Sequence, residues 1–344
     1  MLRKAAYYYL SWLVLIWPAI ALYRNNIYYK GFLTPTTQRT LLALALAYTV
    51  LAPIAYFITY KRGKTIAPSR GYEAVVAFGR FLSFGKKYFS NYLKETNYQF
   101  PALSRQDRTS LLFMLVKLFF LPIMVSFLFT NIDGIKTGLN SINSYGFGLS
   151  QQTFNQVIYP FFISVLLLID TAYFSFAYTF EIKWLNNKVI SVDPTFLGWA
   201  SALICYPPFN DIGNRYVYWW ANDSNSFRNL VLTTILHLLV LGFFVIYVAA
   251  TVALGAKATN LTNRGIVSRW PYNMIRHPAY ASKNIAWWLT IIPVFSFGAV
   301  IGMAAWSSVY LIRSLTEERH LMMIDNGYRE YARKVKYRFI PKVI

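Results

Sequence analysis

The sequence predicts an all-α, polytopic integral membrane protein of about eight transmembrane helices, ending in a C-terminal helical hairpin and a cytoplasmic amphipathic tail. Three observations predict it. Hydrophobic residues make up 56% of the 344 and charged residues only 14%, whereas a water-soluble domain carries roughly a quarter charged. Several apolar runs approach the ~20 residues that cross a hydrocarbon core. Lys and Arg number 34 against 13 Asp and Glu, a net charge of +21, and they gather in loops beside the apolar runs as topogenic charges do. In a soluble chain such a surplus would point to nucleic acid. Beside membrane spans it serves orientation and attraction to anionic headgroups, so membrane lipids are expected as partners and nucleic acid is not.

The expected spans, in order, are Tyr7–Tyr23, Leu41–Tyr60, Leu111–Thr130, Val157–Tyr178 and Leu230–Leu254, followed by a long run from Ile285 to Ile312. The first lacks a small-residue cleavage site, so a retained helix is expected in place of a signal peptide. The last has 28 residues and is interrupted at Pro293 and Gly298, which favours a hairpin of two short membrane helices.

Charge sets the orientation. Lys61–Arg108 holds ten basic and three acidic residues, Arg264–Lys283 only basic ones, and the tail from Arg313 eight basic against four acidic. All three are expected in the cytoplasm, with the nearly uncharged Asn131–Gln156 outside. Parity then demands one further crossing before Arg264, and Phe196–Phe209 (FLGWASALICYPPF) is the candidate, as a broken or tilted segment.

Within the basic loop 61–110, Arg80, Lys87 and Lys94 recur every seven residues, with Val75, Phe78, Leu82, Phe89 and Tyr92 on the opposite helical face. Such a helix lies in the bilayer interface or packs its apolar face on the protein's own helices; the pattern allows both. Lys117 and Asp170 fall at similar depth inside spans, and a structural pair between them is expected, because an unpaired charge in hydrocarbon is costly. His237 is mid-span, where a helix–helix hydrogen bond is its expected role. The single cysteine, Cys205, permits no internal disulfide, and the three histidines show no ligand spacing, so no metal site is expected.

Chemistry concentrates near the C-terminus. LTNRGIVSRWPY (Leu261–Tyr272) leads to RHPAY (Arg276–Tyr280) and SKN (Ser282–Asn284); after the hairpin comes TEERHLMMIDNGYREYARKVKYRFIP (Thr316–Pro341). A hairpin returns both ends to one membrane surface, so Arg276, His277 and Tyr280 would face Glu317 and Glu318. Such a site offers an Arg that holds a carboxylate in two prongs, Glu for hydroxyls or an ammonium, and a Tyr face for a cation. S-adenosylmethionine presents the matching groups: α-carboxylate, ammonium, ribose diol, adenine and sulfonium. Other roles for the same residues stand beside this one. Arg276 would also serve as a topogenic anchor, and Glu317–Glu318 as the solvated start of an amphipathic helix whose Leu321, Ile324, Tyr328, Tyr331 and Val335 follow at 3-4-3-4 spacing.

The block NxG…PY…RHPxY, then a membrane hairpin, then EE…L…YxxY…RFIP, resembles the isoprenylcysteine carboxyl methyltransferase family, which belongs to a wider group with phospholipid methyltransferases. The resemblance covers about residues 261–344. It implies an S-adenosylmethionine-dependent methyltransferase, with the cofactor enclosed by hairpin and tail and held by Arg276, His277, Tyr280, Glu317 and Glu318, flanked by Tyr272 and Asn284. Arg276 and Glu317 are the expected catalytic residues. The chain departs from the pattern at Ser282 and Asp325, where many family members have Gly. The expected division is thus 1–258, an N-terminal membrane region without counterpart in the minimal family core, and 259–344, the catalytic region. The acceptor is expected to be lipophilic and to enter from the bilayer, with the site on the cytoplasmic side of a bacterial inner membrane before an endoplasmic reticulum. Two further readings are carried: an NADPH-dependent reductase of the sterol-reductase type, whose C-terminal block is similar, and a non-enzymatic transporter or lipid-binding protein.

Overall fold

A computed structural model describes residues 2–63, 66, 68–93, 103–145, 150–324 and 327–343. Among them, six helices are long and apolar enough to cross a membrane: Arg3–Asn25, Pro35–Lys61, Arg105–Ser144, Gln151–Thr179, Leu230–Lys257 and Phe297–Met323. Among the described residues the secondary structure is helical apart from one ribbon of two two-residue strands. Its packing divides it into two units, Met1–Pro122 and Ile123–Ile344.

In the first unit, α1 (Leu2–Asn25) is followed by α2 (Ile27–Phe32), a short helix that the apolar pattern does not announce. The Asn26 side chain accepts from the Tyr28 N–H to start it. Thr34 caps α3 (Pro35–Lys61), with Pro at its first position where no N–H is needed. Outward residues such as Val14 and Val50 are more than half exposed, as lipid-facing positions are. The amphipathic segment forms α4 (Arg70–Leu93), and its two alternatives divide the helix. Its beginning packs on α1: Ala74 and Ala77 are buried, and Tyr72 meets Tyr8 at 4.9 Å. From Phe78 onward it leaves Phe78, Leu82 and Phe89 52%, 54% and 62% exposed. Lys94 and the Tyr92 side chain lie outside what is described. Arg80 pairs with Asp107 at 3.0 Å, at the start of α5 (Arg105–Tyr145). Lys117 on α5 places its ammonium 5.2 Å from the ring centres of both Trp12 and Phe113.

The second unit begins within α5, which runs on to Tyr145. The segment from Asn131, expected as an external loop, is therefore largely helical. The helix α6 (Gln151–Thr179) contains a π turn at Phe154–Ile158. Nearby, Asn155 Oδ1 and His237 Nδ1 stand 2.8 Å apart, while the Asn155 amide donates to Thr234 at 2.9 Å. His237 thus makes the helix–helix bond expected of it, from α9 (Leu230–Leu254). Lys117 falls in the first unit and Asp170 in the second, and each meets partners within its own unit. Asp170 accepts from Tyr247 (2.8 Å) and Thr251 (2.5 Å) of α9, and its nearby cation is Lys283. Sequence depth measures height in the membrane but not the direction in which a helix face points.

Phe196–Phe209 breaks into α7 (Phe196–Leu203) and α8 (Phe209–Tyr216). Each has 8 residues, about 12 Å of rise against a core of about 30 Å. The C-terminal hairpin exists, with unequal arms. α10 (Pro278–Thr290) has 13 residues, a 3₁₀ turn holds Pro293, and α11 (Phe297–Met323) has 27. Ser296 caps α11 by accepting from the Ala299 N–H. Nothing after Ile312 breaks the helix, because Glu, Arg, Leu and Met are good helix formers. Glu317 and Glu318 therefore ride on the membrane helix itself, where a separate tail was expected. The tail resumes as α12 (Tyr328–Lys334) after Gly327, whose φ is +85°. Tyr328, Tyr331 and Val335 are buried together, with Leu321 and Ile266 packed on them.

Candidate functional site

The loop before α10 is pinned from three directions. β1 (Ser191–Val192) pairs antiparallel with β2 (Thr262–Asn263), Ser191 facing Asn263. The Ser191 hydroxyl lies 2.9 Å from His320 Nε2, which ties the ribbon to α11. Arg264 follows, expected as a surface charge; it is 3% exposed. Its guanidinium donates to the carbonyl of Ala177 (2.9 Å), in the last turn of α6 where a cation is favoured, and to that of Asn187 (2.5 Å) in the loop beyond. Third, the RFIP segment returns alongside the RHP segment: Arg276 N–H donates to the Tyr337 carbonyl and His277 N–H to the Arg338 carbonyl, both at 2.9 Å.

Pro278 then opens α10 and Tyr280 enters its first turn, pointing at α11. Here the two motifs meet. Arg276 donates to Glu318 Oε2 at 3.1 Å, and His277 Nε2 faces Glu318 Oε1 at 3.0 Å. That His277 nitrogen carries a proton, since a carboxylate oxygen offers none. Arg338 adds a third contact to Glu318 at 3.2 Å. The neighbouring Glu317 accepts the Tyr280 hydroxyl at 3.0 Å. The Glu318 side chain is 3% exposed and that of Arg276 10%, so this is a desolvated cluster in which each charge depends on the others. Two guanidiniums surround one carboxylate, leaving an excess of positive charge.

Two atoms beside Glu318 and Tyr280 have no hydrogen-bond partner among the described residues. Arg276 Nε is buried and unbonded, as is Asn284 Oδ1. Asn284 stands one turn beyond Tyr280 and donates to its carbonyl at 2.9 Å. Tyr272 takes part through its carbonyl, which accepts the Tyr331 hydroxyl at 2.8 Å. Burial and the nearby charge of Glu317 push the Tyr272 phenol well above its ordinary value, keeping it a neutral donor.

Sequence reasoning missed Arg313. It is 8% exposed, donates to Asn260 Oδ1, and lies 5.3 Å from the Tyr280 ring centre. Among the described residues it has no carboxylate within ion-pair distance. Its position four residues before Glu317 puts both on one helix face, a signal that its use as a topogenic charge concealed. Arg313, Tyr280, Glu317, Asn260, Thr316 and His320 line a cavity of about 30 Å³, room for about two waters.

The donor set suits S-adenosylmethionine in chemistry: an unsatisfied guanidinium N–H for a carboxylate, Glu317 with only one bond for an ammonium or hydroxyls, and the Tyr280 ring for a cation. In volume it does so only when Glu317 and Tyr280 separate, because ligand sites run to about 300 Å³ or more. Among the described residues no three of His, Cys, Asp and Glu gather as metal ligands would. Compared with protein-family models, with curated proteins and with solved structures, the chain finds no match.

Proposed function

We propose that the protein is an integral membrane methyltransferase, using S-adenosylmethionine and acting on a lipophilic acceptor that reaches the site from the bilayer. One observation carries the reading. Arg276 and His277 meet Glu318, and Tyr280 meets Glu317, across 37 to 42 residues of chain, leaving a buried guanidinium N–H with nothing to bond. The resemblance of the same residues to isoprenylcysteine carboxyl methyltransferases supports it from the sequence side.

In this reading Arg276, His277, Tyr280, Glu317 and Glu318 hold the cofactor, with Tyr272 and Asn284 at its margins. The cofactor supplies a methyl group already activated for displacement. The protein's work is to align and to exclude water, and alignment alone removes much of such a barrier. Arg276 is fixed by Glu318 and by the Lys336 carbonyl at 3.3 Å, so its open Nε–H has a set direction. Arg313 offers a buried cation to an anionic acceptor, holding a carboxylate ionised and therefore nucleophilic. For an amine acceptor, Glu317 is the proton acceptor, since a single tyrosine occupies it.

The finer topology belongs to the same proposal. In this proposal the six long helices, the broken α7–α8 pair and α10 count as eight crossings, and the basic loop, the RHPAY block and the tail each face the cytoplasm. Calorimetry on the purified protein tests the cofactor: S-adenosylmethionine and its demethylated product should bind, and binding should weaken in Arg276→Ala. Binding of NADPH in their place would favour the reductase, and binding of none would remove the enzyme reading.

A further inference from the structure

The face of α11 that carries Glu318 holds a second feature, which the methyl-transfer reading does not use. A shallow cleft of about 320 Å³ opens there, walled by Leu315, Met322 and Met323, with Glu318, already bonded to Arg338, in its lining, and ringed by Arg319, Arg329 and Arg338. Its size is that of a small-molecule site. Arg338 is held by Glu318. Arg319 and Arg329 have no carboxylate within ion-pair distance among the described residues. Guanidiniums left open around an apolar wall are the complement of an amphiphile with an anionic head.

The helix leads to the same place. Ile301, Leu311 and Leu315 are 52%, 45% and 40% exposed, and at 100° per residue they fall within about 80° of arc. This apolar track runs along a membrane-crossing helix and ends at the arginines. A hydrocarbon tail beside Leu311 and Leu315 brings its headgroup between Arg319 and Arg329, with no bend in the chain.

We propose that this cleft binds one anionic phospholipid, its phosphate between Arg319 and Arg329 and an acyl chain along Leu315 and Leu311. Anionic lipids are drawn to basic pockets at the ends of membrane helices, and guanidinium recognises phosphate in two prongs. Neither the cleft nor the track depends on methyl transfer. Arg338 lines the cleft while bonding Glu318, so a bound phosphate competes for the same guanidinium.

The test uses the full chain, purified and delipidated in detergent, titrated with phosphatidylglycerol or phosphatidylcholine and read by native mass spectrometry. One phosphatidylglycerol should be retained per chain, in preference to phosphatidylcholine. In Arg319→Gln/Arg329→Gln, retention should fall about tenfold, and it should persist in Lys183→Gln/Arg215→Gln, which removes equal charge elsewhere. Leu315→Glu, at an exposed position, should lose it too and decides the matter if the double variant does not fold. Unchanged retention in either cleft variant overturns the proposal. So does equal loss in the control pair, or displacement by inorganic phosphate, which would make the cleft a free-anion site.

Discussion

Replacing Glu318 by Gln keeps the shape of the side chain and removes its charge. The native carboxylate bonds Arg276 at 3.1 Å, His277 at 3.0 Å and Arg338 at 3.2 Å, at 3% exposure. A hydrogen bond to a charged group contributes about 1.5–3 kcal/mol and a neutral one about 0.5–1.5. The Gln oxygen still accepts from the two guanidiniums, each bond losing roughly 1–1.5 kcal/mol, while its amide nitrogen can only donate, so the His277 bond survives only if the ring changes tautomer. The Arg338 side chain is 37% exposed and recovers much of its share from water. The expected loss is about 2–4 kcal/mol, near the lower end of what breaking a buried pair costs. Equilibrium unfolding in mixed micelles, comparing wild type, Glu318→Gln and Glu317→Gln, reads it. Glu317 accepts one bond from a more exposed tyrosine, so its variant should lose about 1 kcal/mol or less. A Glu318→Gln protein within about 0.5 kcal/mol of wild type, or a Glu317→Gln loss as large, would refute the buried cluster of three bonds on Glu318.

Three other outcomes follow from the packing. Asp170→Asn and Lys283→Met should be non-additive by roughly 0.5–3 kcal/mol in a double-mutant cycle, because the nearby cation of Asp170 is Lys283; additive losses would contradict that. A Cβ on Gly302 would stand 2.6 Å from the Tyr218 carbonyl oxygen, so Gly302→Val should destabilise by about 1–3 kcal/mol through overpacking, and a neutral result would show that the 217–221 loop is not held there. Burial keeps the Tyr331 phenol above its ordinary value, so the folded state retains a proton that the unfolded chain releases, and stability should fall as pH rises past about 10. Tyr331→Phe should flatten that fall in unfolding measured at about pH 9 and about pH 11; an unchanged slope would mean that Tyr331 is not buried.

Much of this architecture can be read from the residues, because hydropathy and breakers act locally. The long apolar runs became helices, and Pro293 marked the turn that returns Glu317 and Glu318 to Tyr280 and Arg276. What escaped depends on long-range contact. The charged residues Arg264 and Arg313 look like topogenic loop charges until the carbonyls of Ala177 and Asn187, and the amide of Asn260, are brought to them. The carboxylate of Asp170 found its partners on α9 because helix rotation, which depth along the chain does not reveal, decides who faces whom. Likewise Arg338 reaches Glu318 through backbone pairing of the RFIP and RHP segments, and no periodicity encodes that pairing.

The most direct test follows a methyl group. Membranes containing the wild-type protein, incubated with S-adenosylmethionine labelled in its methyl group, should transfer label into the lipid extract, and Arg276→Ala at equal protein level should not rise above background. An unlabelled extract from wild type, or equal labelling by the variant, would contradict the account.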